Sequence, residues 1–145
     1  MLSKPSLTLK RRLKAPPREV FSAWTDPKKI VRWFGPNDTS QGSISADIDL
    51  RVGGRYRIGF KTDDGEQHEV GGTYHEVVPD RRLVFSWAWH TTPERSSLVS
   101  ITLAQDGEHG TLLTLQHERF FDEKARDNHE QGWLGTLQKL EHYLG

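Results

Sequence analysis

Residues 82–90 read Arg-Leu-Val-Phe-Ser-Trp-Ala-Trp-His, and the alternation in this stretch decides the architecture. Successive side chains of an extended strand point to opposite sides, so Leu83, Phe85, Trp87 and Trp89 share one face. Ser86 and Ala88 fall on the other. A strand with one bulky face and one small or polar face belongs to a sheet covered on one side only. The rest of the chain has to supply the cover.

The same period of two recurs on both sides of this stretch. Toward the C-terminus, Val99, Ile101 and Leu103 share a face, a turn runs from Asp106-Gly107 to Gly110, and a last strand groups Leu113, Leu115 and His117 opposite Thr114, Gln116 and Glu118. Toward the N-terminus, Val70, Gly72 and Tyr74 mark a strand that ends near Pro79-Asp80, and Asp63-Asp64-Gly65 is a turn. Before it, Tyr56, Ile58 and Phe60 form a return strand. From Ser43 onward Ile44, Ala46, Ile48, Leu50 and Val52 are expected on one face, with Gly53-Gly54 as the hairpin turn. Leu7, Leu9 and Leu13 define a first strand. Pro16-Pro17 ends it and opens a helix running to about Thr25. Asp26-Pro27 then starts a second short helix with Ile30, Trp33 and Phe34, stopped by Gly35-Pro36.

From about Asp122 the period becomes helical: Ala125, His129, Gly132, Trp133, Thr136, Leu137, Leu140 and Leu144 recur at spacings of three and four. This long helix is the cover. Strand, two helices, about six meandering strands and one long helix predict an α+β domain spanning 1–145, with an ordered core over about 7–144. Its antiparallel sheet of six or seven strands wraps a C-terminal helix in a helix-grip arrangement.

With these elements placed, the chain resembles the START-like, or SRPBCC, superfamily, which includes the birch-pollen allergen and polyketide cyclases. Within it the chain is most similar to the branch named for the C-terminal domain of the activator of the heat-shock ATPase. The likeness is carried by Ala15-Pro16-Pro17-Arg18-Glu19-Val20-Phe21-Ser22-Ala23-Trp24-Thr25-Asp26-Pro27, by Ile30-Val31-Arg32-Trp33-Phe34 and by Asp49-Leu50-Arg51-Val52-Gly53-Gly54-Arg55-Tyr56. It continues through Gly72-Thr73-Tyr74, Arg82 to Trp87, Thr111 to His117, and Gly132-Trp133 with the leucines of the last helix. The resemblance implies the same helix-grip fold; being spread over a diverse branch, it fixes no function. The founding co-chaperone carries a separate N-terminal domain for which there is no room before Leu7, so a chaperone partner is not expected.

Composition narrows the function classes. Lysine plus arginine and aspartate plus glutamate number 20 each, so no global field attracts nucleic acid, and the basic run Lys10-Arg11-Arg12-Lys14 is short and isolated. Without cysteine, disulfides, thiolate metal sites and a cysteine nucleophile are excluded. The start, Met1-Leu2-Ser3-Lys4-Pro5, lacks the apolar stretch of a signal peptide, and no window is apolar enough to span a membrane, so the expected compartment is the cytoplasm. There is no Walker loop, nucleophile elbow or zincin spacing. Alternation sends His75 and His90 away from His117, so no metal and no cofactor are expected. A homodimer stays open.

Five tryptophans, six phenylalanines and three tyrosines suit either a filled core or a pocket wall. The pocket reading places a cavity between the long helix and the sheet, with the second short helix at its mouth. From the N-terminal half its expected lining is Trp33, Phe34, Tyr56, Ile58 and Tyr74. Phe85, Trp87, Trp89, Ile101, Leu115 and His117 follow from the later strands, and Gly132, Trp133, Thr136 and Leu137 from the helix. Gly132 sits mid-helix at a cost of about 1 kcal/mol relative to alanine, read as leaving volume for a ligand beside Trp133. His117, Tyr74 and, if no bulge intervenes, Glu76 are the candidates for acid–base chemistry. The leading expectation is a binding or carrier protein for a small hydrophobic, aromatic or amphipathic molecule. The alternatives are a small cyclase-, dehydratase- or hydrolase-like enzyme using the same cavity, and a co-chaperone-like interaction module.

Overall fold

A computed structural model describes residues 4–145; Met1, Leu2 and Ser3, the first residues of the stretch read for a signal peptide, lie outside the described residues. The elements in chain order are β1 (Leu7–Leu13), α1 (Pro17–Thr25), α2 (Pro27–Ile30), β2 (Ser45–Ile48), β3 (Arg55–Lys61), β4 (Gln67–Val78), β5 (Arg82–Trp89), β6 (Ser97–Asp106), β7 (Gly110–Glu118) and α3 (Glu123–Leu144). The strands form one seven-stranded antiparallel sheet in the order β1-β7-β6-β5-β4-β3-β2. The chain therefore starts at one edge, crosses through α1 and α2 to the other, and meanders back by hairpins until β7 pairs with β1. This is the helix-grip architecture that the alternation predicts. Among the described residues, no helix is long and apolar enough to cross a membrane.

Local chemistry sets the boundaries. Pro17 occupies the first turn of α1, where no backbone N–H is needed. Asp26 closes α1 and caps α2, its carboxylate accepting the Lys28 backbone N–H at 2.9 Å. Asp122 caps α3 in the same way, accepting from the Ala125 N–H at 2.8 Å. Along the strands Leu83, Phe85, Trp87, Val99, Ile101, Leu103, Leu113, Leu115 and His117 are all buried, on the face that meets Trp133, Leu137 and Leu140 of α3.

Two local expectations differ from the structure. The strand expected from Ser43 to Val52 ends at Ile48: Asp49 N–H still bonds the Arg55 carbonyl as a last hairpin rung, and the chain then turns, Arg51 N–H bonding the Asp49 carbonyl and Gly54 N–H the Arg51 carbonyl. Leu50 and Val52 sit exposed in that loop, at 39% and 65%. Gly53 has a positive φ, but Gly54 does not; it pairs with Tyr74, and a Cβ there would lie 2.1 Å from the Asp49 carbonyl oxygen. The second difference is a β-bulge at His75. Tyr74 pairs with Phe85 and Glu76 with Val84, so one residue on β4 is unmatched. The bulge turns Glu76 to the outer face, where it binds Arg82 at 3.1 Å, and Arg82 in turn donates to Thr102. Glu76 and Tyr74 therefore do not share a face.

Candidate binding cleft

The space between sheet and helix is divided unequally. Its deep part, walled by Trp24, Tyr56, Ile58, Tyr74 and Phe85, retains a void of only about 20 Å³. That is room for one water molecule. Its outer part is an open cleft of about 710 Å³, within the range of small-molecule sites. Phe34 and Trp87 border both and form the partition. The cleft lies between the segment after α2 (Phe34 to Asp38), the β3–β4 hairpin, the end of β5 and the middle of α3.

Six of the sequence-predicted lining residues meet here: Phe34, Trp87, Trp89, Gly132, Trp133 and Thr136. Tyr56, Ile58, Tyr74 and Phe85 line the small void instead. Trp33, Ile101, Leu115, His117 and Leu137 line neither and are buried in solid core. Residues not expected in the wall are Phe60, His68 and His129, with Asn37, Asp38, Thr62, Asp64, Asn128 and Gln131 as polar rim. Phe60 was legible, since it follows Tyr56 and Ile58 at even spacing. His129 was also legible, one helical turn before Trp133. The loop residues carried no periodic signal.

The floor is aromatic, its rings meeting edge to face, tilted and stacked. Trp87 packs against Trp89 at 5.5 Å and Trp133 at 5.1 Å between ring centroids, Phe34 meets Trp133 at 6.3 Å, and Phe60 stacks on His68 at 5.2 Å. A Cβ built on Gly132 meets no atom within 4 Å, so this glycine does open onto free space beside Trp133. Gly135 is different: a Cβ there would come within 2.9 Å of the Asn37 amide. Lys139 fastens the lip by donating to the carbonyls of Phe34 at 3.3 Å and Pro36 at 3.1 Å. Its burial lowers its pKa, partly offset by nearby Asp38.

Two histidines support the floor, His129 from the cleft wall and His117 from the core behind it, each locked in one tautomer by its partners. The indole N–H of Trp133 donates to Nδ1 of His117 at 3.0 Å, so Nε2 carries the proton and donates to Ser97 Oγ at 2.7 Å; Ser97 donates onward to the Trp87 carbonyl. His117 has neither a free lone pair nor a free proton. Burial, with His129 beside it, pushes its pKa down to about 2. In His129, Nδ1–H donates to the Ala125 carbonyl at 2.7 Å, which leaves Nε2 to accept the indole N–H groups of Trp89 at 2.9 Å and Trp87 at 3.3 Å. Burial holds its pKa low against the opposing pull of the Ala125 carbonyl. Burial raises the pKa of Tyr74 instead, so it stays a protonated phenol at the small void. The three acid–base candidates are thus in separate places: core, void and outer face.

Among the described residues, Asp64, Glu66 and His68 are one group of possible metal ligands, with donor atoms within 4.8 Å of one another. Asp64 and His68 already have partners. Thr62 Oγ1 gives its proton to Asp64 at 2.6 Å, so His68 Nε2, 3.0 Å from the same oxygen, faces it as a donor. Asp64 also accepts the Glu66 N–H, and these bonds, Thr62 foremost, hold its carboxyl below the usual range.

Comparison with known proteins places the chain. Residues 14–145 match the family model for Activator of Hsp90 ATPase homolog 1-like proteins. Protein CV1439 from Chromobacterium violaceum is 28% identical, with a TM-score of 0.80 over 97% of each chain. CalU16 from Micromonospora echinospora is 32% identical, with a TM-score of 0.72 over 97% of this chain and 76% of that one. The AHSA1 protein from Silicibacter pomeroyi is 26% identical, with a TM-score of 0.79 over 97% of both chains. No curated protein matches.

Proposed function

This chain belongs to the Activator of Hsp90 ATPase homolog 1-like family, and on that footing we propose that it is a binding or carrier protein for small aromatic or amphipathic molecules. One observation carries the reading: a cleft of about 710 Å³ has a floor of aromatic rings and an unfilled position at Gly132, directly beside Trp133. A ligand that buries about 300 Å² of apolar surface against those rings gains roughly 7 kcal/mol, part of which offsets the cost of association. The polar rim orients whatever polar group the ligand carries. Against an acid–base enzyme stands His117, whose two ring nitrogens are both engaged in the core.

The test follows the five indole N–H resonances by nitrogen–proton correlation NMR while a neutral aromatic alcohol is added. Trp89 and Trp133, at the cleft, should shift strongly, and Trp33, which lines neither space, should not. Uniform or absent shifts would remove the proposal.

A further inference from the structure

We infer that the cleft selects aromatic molecules that carry a positive charge and discriminates against aromatic carboxylates. The inference rests on the reading of this cleft as a binding site and adds the ligand's charge. Its wall contains two carboxylates, Asp38 and Asp64, and, among the described residues, no lysine or arginine. Asp64 is held ionised by the Thr62 hydroxyl and the Glu66 N–H, and it stands on the same hairpin as Phe60. Glu66 adds a third carboxylate within 4.8 Å of it. Of the two imidazoles of the wall, one is fixed neutral and the other faces Asp64, whose ionised form it favours. His129 is kept neutral by the two indole donors on Nε2, and His68 is engaged with Thr62 and stacked on Phe60.

Lys139 stands at the lip, close enough to Asp38 for the two charges to interact, so Asp64 rather than Asp38 is the carboxylate left for a ligand. The Lys139 ammonium binds the carbonyls of Phe34 and Pro36 and lines the neighbouring groove with Lys14 and Arg32, not this cleft. An incoming anion would meet carboxylates at the mouth and the negative faces of the rings on the floor. An ammonium or guanidinium gains from both, since aromatic faces attract cations and the lip supplies a counter-ion. The predicted pose lays the ligand ring on Trp89 and Trp133 and turns its cationic end toward Asp64.

Three matched probes separate charge from shape: naphthylmethylamine, naphthylmethanol and naphthoic acid, titrated near neutral pH and followed by the indole resonances. The amine should bind about two- to fivefold more tightly than the alcohol, and the acid more weakly than the alcohol by a similar factor. Raising sodium chloride to about 0.5 M should shrink both differences, because exposed charges are screened. Asp64→Asn should reduce the amine's advantage over the alcohol, whereas Glu108→Gln, on the exposed β6–β7 turn, should not. If the acid binds as tightly as the amine while all three shift the Trp89 and Trp133 signals, charge selection is wrong and the cleft remains a binding site. If none of the three shifts them, the binding reading and this inference fall together.

Discussion

Trp89 on β5 donates its indole N–H to Nε2 of His129 on α3 at 2.9 Å, joining the sheet to the helix behind the cleft. Trp87 donates to the same atom, so a single imidazole nitrogen satisfies two half-buried donors. His129→Ala leaves both without their acceptor and should cost about 1–3 kcal/mol. His129→Gln can return an amide oxygen and should recover part of the loss. Urea unfolding checks both, and a His129→Ala protein as stable as the parent would contradict the arrangement.

Acid should weaken the fold through the buried histidines. Below the ordinary imidazole value of 6.5 the unfolded chain takes up a proton that folded His117 refuses until about pH 2. Stability from this group is therefore whole above 6.5 and declines as pH falls through that window. At about pH 5 the loss from His117 alone is roughly 2 kcal/mol, and His129, shifted the same way, adds to it. Unfolding free energies measured near pH 7.5 and pH 5 should show this drop; equal values would mean the rings are not buried as described.

Filling the helix glycine separates stability from binding. A side chain at Gly132 meets open space, so Gly132→Ala should gain up to about 1 kcal/mol of helix propensity and raise Tm by about 2–4 °C. A fall in Tm would show that the space beside Trp133 is not free.

Glu76→Gln breaks an exposed pair with Arg82 on the face opposite the cleft. It should change stability by less than about 1 kcal/mol and leave ligand affinity unaltered. Loss of affinity in a calorimetric titration would place Glu76 at the site despite the bulge.

The alternation at Leu83 to Trp89 and the helical spacing from Ala125 to Leu144 made the sheet, its covered face and the covering helix legible. What escaped was set by single backbone events. One unmatched residue, His75, reversed the face of Glu76, and the tight turn through Asp49, Arg51 and Gly54 released Leu50 and Val52 from the strand. Half the site was legible for a similar reason. Parity shows which rings face the helix, but whether they fill the space depends on ring packing, and Tyr56, Tyr74 and Phe85 nearly close the deep part. The polar rim comes from loops that touch only through the fold.

The most direct measurement is calorimetric titration of naphthylmethanol into the parent protein and into Gly132→Phe, a substitution that occupies the cleft from the helix side. A binding cleft at Gly132 predicts a measurable isotherm with negative heat-capacity change for the parent, and at least about tenfold weaker binding for a variant that still folds. An unchanged affinity in Gly132→Phe, or no binding heat in the parent, would contradict it.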